Sequence, residues 1–103
     1  MSSNKLDLLL TYFCKENGWT LVKEFRFDPN RRWRSDFYIE ANGHKVLIEY
    51  EGLVASGKGG HQTMKAYTNN CDKYNRASLL GFKLLRYTAI NFRNVEFDLN
   101  ELK

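Results

Sequence analysis

Two β-rich runs separated by Asn42-Gly43 constrain this chain more than any other feature. The first is Trp33-Arg34-Ser35-Asp36-Phe37-Tyr38-Ile39-Glu40, and the second Lys45-Val46-Leu47-Ile48-Glu49-Tyr50-Glu51. An Asn-Gly pair between such runs is a strong hairpin signal. Side chains two apart share a face of a strand. Leu47, Glu49 and Glu51 therefore point one way, and Val46, Ile48 and Tyr50 the other. Asp36 and Tyr38 share one face of the first run, Phe37 and Ile39 the opposite one. Pairing 36–40 against 45–51 brings Asp36 close to Glu49 or Glu51. Three anions gathered at one strand end are costly without a counter-charge, and a divalent cation is the usual one. The plain alternative is a solvated strand end with scattered acids.

The rest of the chain supplies the partners of that hairpin. Leu6, Leu9, Leu10 and Phe13 recur at helical spacing and Asn17-Gly18 closes the run, which predicts a helix over 6–16. Residues 19–27 read as a strand. Thr63 to Leu80 reads as a helix with Met64, Tyr67, Cys71, Tyr74 and Ser78 on one stripe, ended by Gly81. A fourth strand follows over 82–87, and a short helix over 95–102. The order is α-β-β-β-α-β. With 103 residues, 43% of them hydrophobic and 15% aromatic, the chain reads as one domain (core 6–87, C-terminal extension 88–103) able to build a core.

Composition limits the setting and the partners. No apolar stretch approaches the length of a bilayer span, and the polar start lacks a signal-peptide pattern. Cys14 and Cys71 stand alone, with no metal-ligand spacing, and are expected to be buried thiols. A cytoplasmic location, with no membrane partner, is expected. The net charge of +4 decides little alone. Its distribution says more: Lys23, Arg26, Arg31, Arg32 and Arg34 interleave with Phe25, Phe27 and Trp33, and Lys58, Lys65, Lys73 and Arg76 follow. Basic residues beside aromatics suit a polyanion backbone, by charge and by stacking; a solvated basic face is the alternative. The glycine-rich run 52–60 fails the phosphate-loop pattern, because Lys58 is followed by Gly59. It reads instead as a loop over a site or groove. His61 follows it, with a side chain suited to proton transfer. His44, at the far end of its strand, is expected to be inert.

The element order, with Asp36 on the second strand and Glu49-Tyr50-Glu51 on the third, resembles the PD-(D/E)XK nuclease superfamily. Segments 25–37 and 72–87 are also similar to small phage and prophage endonuclease-like proteins and to the very-short-patch-repair type of nickase domain. The resemblance implies an α/β (α+β) fold: an αβββαβ restriction-endonuclease-like core with a mixed four-stranded sheet flanked by helices. It implies a metal-dependent endonuclease hydrolysing phosphodiester bonds, a nickase or a structure-selective enzyme for junctions or flaps, with Mg²⁺ or Mn²⁺ as cofactor. Asp36 and Glu49 match the metal ligands. The motif lysine would stand at position 51, where this chain has Glu51. Glu51 is then expected to take the proton of the attacking water or to join the metal shell, and Lys73 or Lys65 to supply the cation. Glu24 matches an upstream glutamate of some members, with Glu16 as competitor. Arg31, Arg32, Arg34, Lys58, Lys65 and Arg76 would hold nucleic acid, with DNA expected over RNA. A homodimer is compatible with this reading, as is a bacterial or phage-infected host cell. The rival expectation is a catalytically inactive nucleic-acid-binding module, or a small host-factor inhibitor, on the same fold.

Overall fold

The computed structural model describes residues 4–52 and 63–103. Helix α1 (Asn4–Asn17) precedes strands β1 (Thr20–Arg26), β2 (Arg34–Ala41) and β3 (His44–Tyr50); helix α2 (Met64–Leu79), strand β4 (Lys83–Tyr87), a 3₁₀ turn (Phe92–Asn94) and helix α3 (Val95–Asn100) follow. The strands form one sheet in the order β1-β2-β3-β4. The first three run antiparallel, and β4 lies parallel to β3. The fold is α+β, a four-stranded mixed sheet flanked by helices.

The hairpin turn follows its sequence. Ala41 pairs with His44, leaving Asn42 and Gly43 as a two-residue loop with φ of 50° and 83°. Two successive left-handed residues match the right-handed twist of the strands, and Asn-Gly adopts them at low cost. Helix α1 ends at Gly18, also left-handed (φ 68°), where Trp19 N–H reaches back to the Cys14 carbonyl at 2.9 Å. That bond satisfies a carbonyl the helix would otherwise leave open.

Two cores lie on the two faces of the sheet. Leu6, Leu10, Phe13 and Cys14 of α1 pack with Phe37, Ile39, Val46 and Ile48, and with Val95 and Leu99 of α3. On the other face Tyr38 and Leu47 pack with Phe27 and Ala77. Alternation within β2 and β3 sends 37, 39, 46 and 48 to one core and 38 and 47 to the other, as the hairpin reading requires.

The expectation of a buried Cys71 needs correction. Helix α2 does not bury the stripe of Met64, Tyr67, Cys71, Tyr74 and Ser78: Met64, Tyr67, Cys71 and Ser78 are exposed and Tyr74 is half-buried. Its inward face is Lys73, Ala77 and Leu80, because the helix turns two side chains of that half toward carboxylates, described below. Cys71 is accordingly an exposed thiol, whereas Cys14 is buried as expected. In β1, Leu21 packs into the first core and Phe25 into the second, although residues four apart in a regular strand share a face. Glu24, with φ of 52°, lies between them and turns the chain over.

Candidate functional site

At the open end of the β2–β3 hairpin, side chains replace backbone ladder bonds. The regular pairing stops at Phe37 opposite Ile48. Beyond it, Asp36 N–H donates to Glu49 Oε2 at 2.9 Å, and Tyr50 N–H donates to Asp36 Oδ2 at 2.7 Å. Ser35 Oγ lies 3.0 Å from the Ile48 carbonyl and 2.9 Å from that of Phe37. The fork between the strands is thus stitched by a hydroxyl and two carboxylates. Register alone brings Asp36 to Glu49, since both strands alternate and the turn has fixed length.

Helix α2 completes this group. Lys73 Nζ donates to Glu49 Oε1 at 2.7 Å, with side-chain exposures of 16% for the lysine and 9% for the glutamate. Both Glu49 oxygens therefore have donors, which a carboxylate this buried requires. One turn further along α2, Arg76 Nε meets Asp28 Oδ2 at 3.2 Å. Asp28 is itself buried, and its other oxygen accepts from Asn30 N–H at 2.9 Å. The Asn30 N–H holds the Asp28 carboxyl below the usual carboxylate range, against the opposing effect of burial, and the Arg76 guanidinium adds to it. Arg76 is thus tied to a structural anion as well as lying on the basic side.

Glu51 belongs to a second group. Arg86 Nη2 on β4 approaches its Oε1 at 2.9 Å, and Tyr74 O–H lies 3.4 Å from its Oε2. The Arg86 guanidinium also stands 4.4 Å from the Tyr74 ring centre. Burial, then the Glu51 charge, pushes the Tyr74 phenol up to about 12, so it stays a donor at neutral pH. Among the described residues no three His, Cys, Asp or Glu side chains are arranged to hold one metal ion. The three anions expected at one strand end are an Asp36–Glu49 pair neutralised by Lys73, and a Glu51 neutralised by Arg86.

The remaining candidates fall as follows. Glu24 stands across from Asp36, between the pairs Lys23–Phe37 and Phe25–Ser35. The two line a shallow cleft of about 160 Å³ with Asp7, Lys23 and Phe37. Asp7 comes from α1 and pairs with Lys23 at 2.9 Å. Nothing in the sequence pattern singles Asp7 out. Glu16 is an exposed residue near the end of α1, bonded to Tyr12. Arg31, Arg32 and Arg34 are exposed, and the Arg31 guanidinium lies 4.7 Å over the Trp33 ring. Arg26 shapes their loop by donating to the carbonyls of Arg31 and Pro29 at 2.8 and 3.2 Å. Lys65 is exposed near the start of α2. Lys58 and His61 lie outside the described residues.

A divalent cation fits part of this donor set. Asp36 and Glu49 offer hard oxygens on adjacent strands, both Glu49 oxygens and one of Asp36 already accepting protein hydrogen bonds. Mg²⁺ is commonly held by one or two carboxylates with water and phosphate completing its shell. No helix among the described residues is long and apolar enough to cross a membrane. No family model, curated protein or solved structure matches the chain.

Proposed function

We propose that the chain is a metal-dependent endonuclease of the PD-(D/E)XK kind, acting on DNA as a nickase or a structure-selective enzyme in the cytoplasm. The observation that carries this reading is the convergence of Asp36, Glu49 and Lys73: two carboxylates and an ammonium from three elements at one strand fork. In the superfamily pattern a lysine accompanies the metal-binding acids. This chain has Glu51 at the motif position, and Lys73 reaches the neighbouring Glu49 from α2.

The residues divide the work by their chemistry. Asp36 and Glu49 would hold Mg²⁺ or Mn²⁺, which when bound activates water and offsets charge on the phosphoryl oxygens. Lys73, already beside Glu49, would face the charge that develops on the phosphate. Tyr74, protonated at neutral pH, and Arg86 together position Glu51. Arg31, Arg32 and Arg34 would hold the flanking phosphates. Their loop is fastened to α2 by Asp28 and Arg76, one helical turn from Lys73.

The second reading is a nucleic-acid-binding module that does not cut. It is favoured by the internal satisfaction of Glu49, whose two oxygens accept from Asp36 N–H and Lys73. Incubating the purified chain with linear, branched and single-stranded DNA in Mg²⁺, Mn²⁺ or EDTA separates the two. The endonuclease cuts at least one substrate with metal and none with EDTA. Metal-insensitive binding without cleavage on every substrate rejects it.

A further inference from the structure

Helix α1 buries Leu6, Leu10, Phe13 and Cys14 and turns Leu8 and Tyr12 to solvent, at 71% and 64% exposure. These two are one turn apart on one face of the helix. Beside them, between α1 and the 3₁₀ turn, runs a mostly apolar groove of about 320 Å³ lined by Lys5, Leu8, Leu9, Tyr12, Phe92 and Arg93. Helix α3 packs along α1. Single exposed apolar side chains are ordinary, but a contiguous set with a groove marks a contact surface.

Charge selects the occupant. Lys5 and Arg93 stand at the groove near the start of α1, and Glu16, held by the Tyr12 hydroxyl, stands near its end. Glu96 of α3 adds a second anion near Tyr12, so with Lys15 also in the last turn the face is positive at the end of Lys5 and Arg93 and net negative at the end of Glu16. A second copy laid antiparallel sets Lys5 against Glu16 of that copy, and the two-fold relation repeats the contact at the other end. The same register sets Leu9 opposite Tyr12 of the second copy, so that ring enters the groove and its Glu16 nears Lys5 and Arg93. We propose that this face joins two copies of the chain in an antiparallel, two-fold α1–α1 pair. The inference does not depend on the endonuclease reading, since none of these residues belongs to the strand fork. A helix of 14 residues is about 21 Å long. Stable interfaces bury roughly 1,200–2,000 Å², so a contact centred on one such helix forms a reversible dimer.

Sedimentation velocity from micromolar to millimolar concentration tests the pair on the whole chain. The expected result is a monomer–dimer transition in that range. Lys5→Glu and Glu16→Lys should each raise its midpoint by about tenfold, since each change places two like-charged pairs in the dimer. The combined reversal should restore it, and Leu8→Asp should abolish it with an unchanged circular dichroism spectrum. A chain monomeric throughout overturns the proposal and assigns the face to a different partner. A transition unmoved by Leu8→Asp, or a double reversal that fails to restore it, overturns it as well.

Discussion

Glu49 illustrates how a residue can be both structural and chemical. Its carboxylate closes a strand fork by accepting Asp36 N–H and anchors α2 through Lys73. Replacing it with Gln keeps the size and one acceptor but removes the charge. Asp36→Asn and Glu49→Gln are each expected to abolish cleavage in Mg²⁺ while the chain stays folded; near wild-type cutting by either would remove the fork from the site. Lys73→Met should act differently, because it leaves the Glu49 charge buried and unpaired, at a cost of about 3 kcal/mol. Thermal unfolding should show that loss, and combining Lys73→Met with Glu49→Gln should recover part of the stability but no activity. Asp28 provides the pH test. Its carboxyl titrates lower in the folded chain than in the unfolded one, first because of Asn30 N–H. The stability it contributes is therefore complete above the ordinary carboxylate range and fades as pH falls through its folded value. Melting wild type and Asp28→Asn from neutral to strongly acid pH should give a gap that is widest at neutral and narrows toward acid; a gap independent of pH contradicts the assignment. Asp36 and Glu49 were legible as neighbours because strand alternation and a two-residue turn fix them. The fate of Glu51 was not, since Arg86 arrives from a parallel strand whose place in the sheet no local pattern specifies.

At the scale of elements, strands and helices differ in what their sequences reveal. The two middle strands are covered on both faces, so the unbroken apolar runs Phe37-Tyr38-Ile39 and Val46-Leu47-Ile48 mark them clearly. Helix α2 is covered on one side and only in part, and its aromatic and sulfur-bearing stripe is not the inward one. The residues that dock it are Ala77, small enough for close approach, and Lys73 and Arg76, which sequence alone assigns to the site cation and to nucleic acid rather than to packing. Ionic anchoring to Glu49 and Asp28 depends on tertiary placement, so helical periodicity does not report it. The Glu24 reversal in β1 is likewise invisible, since Glu carries no left-handed preference. The two cysteines report the orientation of their helices directly. Burial pushes the Cys14 thiol up to about 11, whereas Cys71 is exposed on α2. Reaction of the native chain with a thiol reagent should modify Cys71 rapidly and Cys14 only on unfolding. Modification of Cys14 at a comparable rate, or protection of Cys71, would place the docking faces of α1 and α2 elsewhere.

Across the whole molecule, the two sheet faces carry different tasks in this reading. One face is closed by α1 and α3 over the larger core. The other holds α2, the strand fork and the basic loop after β1. That loop is tied down twice, by Arg26 to the carbonyls of Pro29 and Arg31 and by Asp28 to Arg76, so its outward arginines are presented from a fixed support. A backbone crossing there would place a phosphate beside Asp36, because the loop feeds directly into β2. Replacing Arg31 and Arg32 with Ala removes two exposed cations but keeps the backbone carbonyl that Arg26 holds and the Asp28–Arg76 pair, and should leave the fold and any metal binding unchanged. If both residues hold phosphates, substrate affinity should fall for every sequence tested. The slope of log affinity against log salt should then lessen by about one unit for each phosphate no longer neutralised. Comparing that slope for wild type and the double variant, with a catalytically silent Glu49→Gln background to prevent cutting, measures the number of phosphates held. An unchanged slope with unchanged affinity would reduce the loop to a solvated turn, and a nucleic-acid path would then have to run over the Lys65 end of α2 instead.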